Sequence, residues 1–203
     1  MLVASSTIIG DIVKMREAGR ASLAIYYYDF REDQKKDLRG LLSSVLFQLC
    51  DQSDSYYSII SAFHSAHRDG ALGPSDDVLV RCIKDLLKIP GPMPVYLIID
   101  GLDESPSTFD LSSPREEVLS LLEDLVQIRN LRICVTSRPE EDIKSVLEPL
   151  TYSSVSLHDE SGQMEDIEDY IKSFVNTNEK MQQWPREHRQ LVIDVLTERA
   201  DGM

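Results

Sequence analysis

Residues 94–105 read PVYLIIDGLDES, and this stretch decides how the rest of the chain is read. Five apolar side chains, Val95, Tyr96, Leu97, Ile98 and Ile99, follow one another without a polar break. A strand that is apolar at every position buries both faces, which marks a parallel sheet covered by helices on either side. Asp100, Gly101, Leu102, Asp103 and Glu104 come next, so three carboxylates crowd the end of a buried strand. In open α/β sheets ligands bind at the carboxyl ends of the strands. A carboxylate at Asp100 is placed there to hold Mg²⁺ through water, because Mg²⁺ keeps part of its hydration shell and takes one or two carboxylates alongside phosphates. Gly101 lets the chain turn and leaves room for a ligand. Asp103 or Glu104 then stands where it could orient or deprotonate an attacking water. The competing reading is a solvated acidic loop with no ligand. Calcium fits poorly, since the D-x-[DN]-x-[DN]-G spacing of an EF-hand loop is absent.

Outward from this strand, apolar β-runs alternate with amphipathic segments. SLAIYYYDF (22–30) and LRICVTS (131–137) read as further strands, and SSVSL (153–157) as a short one. In LRGLLSSVLFQLC, Leu38, Leu41, Leu42, Val45, Leu46 and Leu49 recur at helical spacing. Helices are also expected over 5–15, over 55–70 with Gly70 closing it, and over 74–91 with Ser75 as N-cap and Pro90 and Gly91 ending it. Further helices are expected over 115–128 and over 139–147 with Pro139 at the first position. The alternation ends near residues 157–162, and only helical patterns follow. Trp184 before Pro185 is expected to anchor the last helix. This pattern predicts an α/β core over 1–158 and the start of a helical segment over 159–203.

LRICVTSRPE repeats the theme of an apolar strand ending in polar groups, here Thr136, Ser137 and Arg138. A guanidinium at a strand end in the same sheet as Asp100 is placed to meet a terminal phosphate. The plainer alternative for Arg138 is a surface salt bridge.

Composition narrows the function classes. Of 203 residues 42% are hydrophobic, enough for a sizeable core. Lys and Arg number 21 against 35 Asp and Glu, a net charge of −14. That balance argues against nucleic acid and anionic lipid as partners, since both need basic surface. Cys50, Cys82 and Cys134 are isolated from one another in sequence, without a C-x-x-C pair, and read as reduced core thiols of a cytoplasmic protein. No apolar run approaches the ~20 residues that span a membrane, and the N-terminal stretch lacks a signal peptide's basic region. His64 and His67 read as a solvent-facing pair, and no G-x-S-x-G elbow is present.

VYLIIDGLDE resembles the Walker B segment of NACHT-type NTPases, a group within the STAND class of signalling P-loop ATPases. Gly101 matches the small residue after the Mg²⁺-associated Asp100, and Asp103 the acidic residue two places on. ICVTSRPE resembles the sensor-1 strand, with Arg138 in the sensor position. The resemblance extends to the fungal NLR-like and nephrocystin-3-like N-terminal types. It implies a nucleotide-dependent switch in signalling or innate-immunity-like responses, with ATP or GTP and Mg²⁺ as ligands. Asp100 and Gly101 would serve Mg²⁺ and nucleotide, Asp103 or Glu104 the water, and Arg138 the γ-phosphate. Self-association and effector or sensor domains would be its partners.

One motif departs from that pattern. The phosphate-binding G-x-x-x-x-G-K-[ST] loop is not in the sequence. The segment over 1–13 resembles the helix that follows such a loop, so the resemblance implies a chain cut at both ends and lacking its Walker A loop. Relatives order their strands 5-1-4-3-2. Residues 22–29, 95–100, 131–137 and 153–157 would be strands 2, 3, 4 and 5, with strand 1 missing between 4 and 5. The expectation is then that this polypeptide alone is unstable, of which residues 153–157 detached from the sheet would be the sign, or that strand 5 slides across to pair with strand 4. The alternative function is a catalytically incompetent interaction module derived from such an NTPase.

Overall fold

The computed structural model describes residues 2–29, 31, 37–66, 73–89, 93–107, 113–156 and 163–199. The chain folds as two compact units, Met1–Thr151 and Tyr152–Met203.

The first unit is built on a parallel sheet of three strands, β1 (Ser22–Tyr27), β2 (Val95–Asp100) and β3 (Leu131–Val135), in the order β1-β2-β3. Ser22 pairs with Val95 and Val95 with Leu131, so the three strands run in step and their carboxyl ends come out together. Helix α1 (Leu2–Glu17) precedes β1 and ends at Gly19, whose φ of 65° suits the left-handed turn only glycine adopts without strain. Helices α2 (Leu38–Cys50), α3 (Asp54–Ala66) and α4 (Asp76–Leu87) lie between β1 and β2, α5 (Pro114–Leu125) between β2 and β3, and α6 (Glu141–Leu147) after β3.

Both faces of the sheet are covered, as the unbroken apolar run of β2 requires. On one face Ala24, Tyr26, Leu97, Ile99 and Leu131 pack among Leu42, Leu49, Leu86 and Leu122 of the helices α2, α4 and α5. Each fully buried Leu there contributes about 1.5–3 kcal/mol. The other face is thinner: Leu23 and Ile98 meet Ile12 of α1, flanked by Ile9, Val13, Ile25, Tyr96 and Cys134. The α/β class read from the sequence, a parallel sheet covered by helices, is what the chain forms.

The two sheet edges differ. At the β1 edge, two glutamine side chains of the α2 segment stand in for a neighbouring strand. Gln52 accepts from the Leu23 N–H (2.9 Å) and donates to the Leu23 carbonyl (2.6 Å), and Gln48 does the same for Ile25 (2.9 and 2.7 Å). At the β3 edge, Val95 N–H donates to Asn130 and Thr136 N–H to Ile99, which fixes the phase of the ladder. The N–H and C=O of Ile133 and Val135 therefore point away from β2, and no backbone partner meets them among the described residues.

Several expectations need correction. Residues 153–156 form no strand; they are irregular and exposed, with Val155 at 68%. The segment offers only Val155 and Leu157 as apolar groups, too little to hold a strand without a paired neighbour, and Leu157 lies outside the described residues. Pro139 is not in a helix: α6 starts at Glu141, behind an extended Glu140. Ser75 does occupy the N-cap of α4 as read, though its side chain makes no capping bond. The strand over 22–30 ends earlier than read, at Tyr27. Gly70, Pro90, Gly91, His67 and the side chain of His64 lie outside the described residues.

The second unit holds α7 (Gln163–Thr177), α8 (Glu179–Gln182) and α9 (Arg186–Arg199), with α7 packed on α9 and Val175 and Ile193 buried. Asn178 caps α8 by accepting from Lys180 and Met181. Trp184, expected to anchor the last helix, is 47% exposed.

Candidate functional site

The parallel register brings the end of β2 beside the end of β3, and the candidate residues gather there. Asp100 is the last residue of β2 and is 8% exposed. Its Oδ1 accepts a short hydrogen bond from the Thr136 hydroxyl just past β3. Oδ2 accepts none from the described residues. Thr136 also receives the Gly101 N–H on its hydroxyl (3.1 Å) and the Leu102 N–H on its carbonyl (3.0 Å), and its own N–H donates to Ile99. One threonine thus fastens the turn after β2 to the end of β3.

Gly101 turns the chain with φ 73° and ψ 41°, a left-handed conformation that a Cβ penalises. A Cβ there would sit 3.8 Å from Glu104 Cγ and 3.7 Å from the Tyr28 carbonyl, so Glu104 folds back over the glycine. Leu102, Asp103 and Glu104 then form one 3₁₀ turn with Leu102 fully buried.

Asp103 does not point into open solvent. Its side chain is 6% exposed; Oδ1 accepts the Arg138 N–H (3.0 Å) and Oδ2 lies 3.4 Å from Arg138 Nε. The side chain of Arg138 remains 75% exposed. The cluster therefore unites Asp100, Gly101, Asp103, Glu104 and Arg138 at one end of the sheet, with Asp103 and Arg138 already paired. Burial, and then the Asp100 carboxylate, push the Cys134 thiol up, which keeps it protonated and unreactive beside the cluster.

Two residues of the cluster carried no role in the sequence reading. Thr136 was visible as a polar residue ending a strand, but its bond to Asp100 depends on register. Arg115 is 5% exposed and donates from Nε to the Ser105 carbonyl (3.0 Å) and from Nη2 to the Asp103 carbonyl (2.7 Å). Its one sequence signal is a cation in the first turn of a helix, where acids are preferred. The helix itself is well announced: Ser113 accepts from Glu116 N–H while Glu116 accepts from Ser113 N–H, with Pro114 at N1. Among the described residues no group of three or more His, Cys, Asp or Glu side chains is arranged to hold a metal by itself.

A family model described as Nephrocystin 3, N-terminal, matches residues 2–138, more than half of the 203. The chain belongs to the nephrocystin 3 N-terminal family. The match runs from α1 to Arg138, so every candidate residue of the strand-end cluster falls within the nephrocystin 3 N-terminal region. The second, helical unit falls outside it. No curated protein and no solved structure matched the chain. Among the described residues no helix is long and apolar enough to cross a membrane.

Proposed function

We propose that this chain is part of a NACHT-type P-loop NTPase, a signalling switch driven by ATP or GTP with Mg²⁺. The observation that carries the reading is that Asp100 ends β2 while Arg138 follows the end of β3, the adjacent parallel strand, and meets Asp103 there. Asp100 fits the metal half of such a site. It is buried at a strand end, its Oδ1 is oriented by Thr136, and its Oδ2 has no protein partner among the described residues. A hydrated Mg²⁺ held there would neutralise phosphate oxygens. Gly101 makes the turn that brings Glu104 back over the end of β2. Asp103 or Glu104 would orient the water, and Arg138 holds the Asp103 carboxylate in place. Arg138 keeps an exposed side chain able to turn toward a terminal phosphate.

The phosphate half would come from a segment ahead of α1. Helices α2, α4 and α5 lie on one face along the β1→β2→β3 direction, and α1 lies on the other. Crossovers between parallel strands are right-handed in nearly all cases. A parallel strand leading into α1 would therefore run back across the sheet, and its place is beside β3, at the edge that has no partner among the described residues.

The pairing of Asp103 with Arg138 favours a second reading, an interaction module without catalysis. Hydrolysis of Mg·ATP and Mg·GTP by the native polypeptide separates the two. If the switch reading holds, Asp103→Asn or Glu104→Gln lowers kcat by about 10²-fold or more with KM nearly unchanged, the size expected of a general-base role. Absence of hydrolysis in the unmodified protein leaves the interaction module.

A further inference from the structure

Arg115 breaks two local rules at once. It occupies the second position of α5, where the positive end of the helix disfavours a cation. It is also buried, although a guanidinium out of water is costly unless every donor is met. Its partners account for both. Besides the carbonyls of Ser105 and Asp103, its Nη1 meets Glu140 Oε2 at 3.3 Å and Asp142 Oδ2 at 3.0 Å.

These acceptors lie on two segments far apart in sequence, the turn after β2 and the start of α6 after β3. Asp103 joins the same two segments a second time, through its carboxylate and Arg138. Asp103 is therefore gripped from both ends, by Arg115 at its carbonyl and by Arg138 at its side chain.

We propose that Arg115 is the positioning residue of the strand-end cluster. Its guanidinium locks the turn over 102–105 and the loop over 138–142 into one body, and so sets where Asp103 and Arg138 stand relative to Asp100. The planar fork explains the choice of residue: Arg reaches four acceptors in fixed directions, which the point charge of a Lys cannot do. The consequence for hydrolysis rests on the nucleotide reading above; the mechanical claim does not.

Amide hydrogen exchange on the whole chain tests it. The reporters are the N–H groups of Leu102, bonded to Thr136, and of Arg138, bonded to Asp103. In Arg115→Ala both should exchange faster by about tenfold, the scale of one lost hydrogen bond, while Leu97 and Ile99 in β2 keep their rates. Millimolar guanidinium should restore protection, and sodium chloride at equal ionic strength should not. Should Arg115→Ala fail to fold, Glu140→Gln/Asp142→Asn decides, because it removes two acceptors and should move the same two amides. Unchanged exchange at Leu102 and Arg138 in a folded variant overturns the proposal. So does an equal loss of protection throughout β2, or rescue by sodium chloride as well as guanidinium. Failure of the nucleotide reading would show separately, as absence of Mg·nucleotide binding in the native polypeptide.

Discussion

Gly101 shows how much of the site depends on single residues. Its positive φ leaves space for an added methyl group, with neighbours at 3.7 Å and beyond, so the penalty of a substitution is conformational and not steric. Gly101→Ala should lose about 1–2 kcal/mol, the cost of a left-handed L-residue, and Gly101→Asn less; urea unfolding at one pH reads the difference. The buried tyrosines make a second case. Tyr26 and Tyr28 sit edge to face with ring centroids 4.9 Å apart, and the Tyr26 hydroxyl has no hydrogen-bond partner among the described residues. Removing such a hydroxyl is nearly neutral or stabilising. Tyr26→Phe should therefore keep or raise the unfolding midpoint at neutral pH. Burial, and then Asp37, push the Tyr26 hydroxyl up to about 12, and burial first, then Tyr26 and Asp37, push Tyr28 higher still. In the unfolded chain a tyrosine ionises near 10, so the unfolded state releases its proton first and stability falls as pH rises from about 10 to 12. Unfolding free energies at about pH 8 and about pH 11 should differ by on the order of 1 kcal/mol more in the unmodified chain than in Tyr26→Phe. A pH dependence identical in the two would show that Tyr26 does not titrate abnormally.

At the scale of elements, the sequence was most legible where one period ran undisturbed. All six residues expected to face inward from α2, Leu38, Leu41, Leu42, Val45, Leu46 and Leu49, are buried. The run over 95–99 gave β2 and the parallel, doubly covered sheet. The turn after β2 and the polar end of β3 could also be read as neighbours, because both end apolar strands in one sheet. What could not be read depends on register and on distant partners. Thr136 meets Asp100 only because β2 and β3 pair in step, and Arg115 is buried only because α6 brings two carboxylates to it. The strand expected over 153–157 failed because β-propensity without a paired neighbour holds nothing. The glutamine edge of β1 was equally hidden, since Gln48 and Gln52 look like ordinary polar residues on a helix. Gln48→Ala and Gln52→Ala each leave an N–H and a C=O of β1 unpaired. Each should lose about 1–3 kcal/mol and speed exchange of the Ile25 or the Leu23 amide respectively. Loss of protection at the central strand β2 alone would contradict a local edge role.

At the scale of the molecule, the first unit has a sheet closed on one side by side chains and, among the described residues, open on the other, with the carboxylate cluster at the strand ends. Two cations meet Asp103 in that cluster, Arg115 at its carbonyl and Arg138 at its carboxylate. The central claim is that Asp100 serves a magnesium-bound nucleotide. Calorimetric titration of ATP and of GTP into the polypeptide as its source cells make it, with and without Mg²⁺, and beside Asp100→Ala, tests that claim most directly. The account predicts binding of one of the two nucleotides that depends on Mg²⁺ and weakens about tenfold or more in Asp100→Ala, the scale of a lost charge-assisted contact. Binding of neither nucleotide, or equal affinity in Asp100→Ala, would contradict it and leave the cluster as a structural brace.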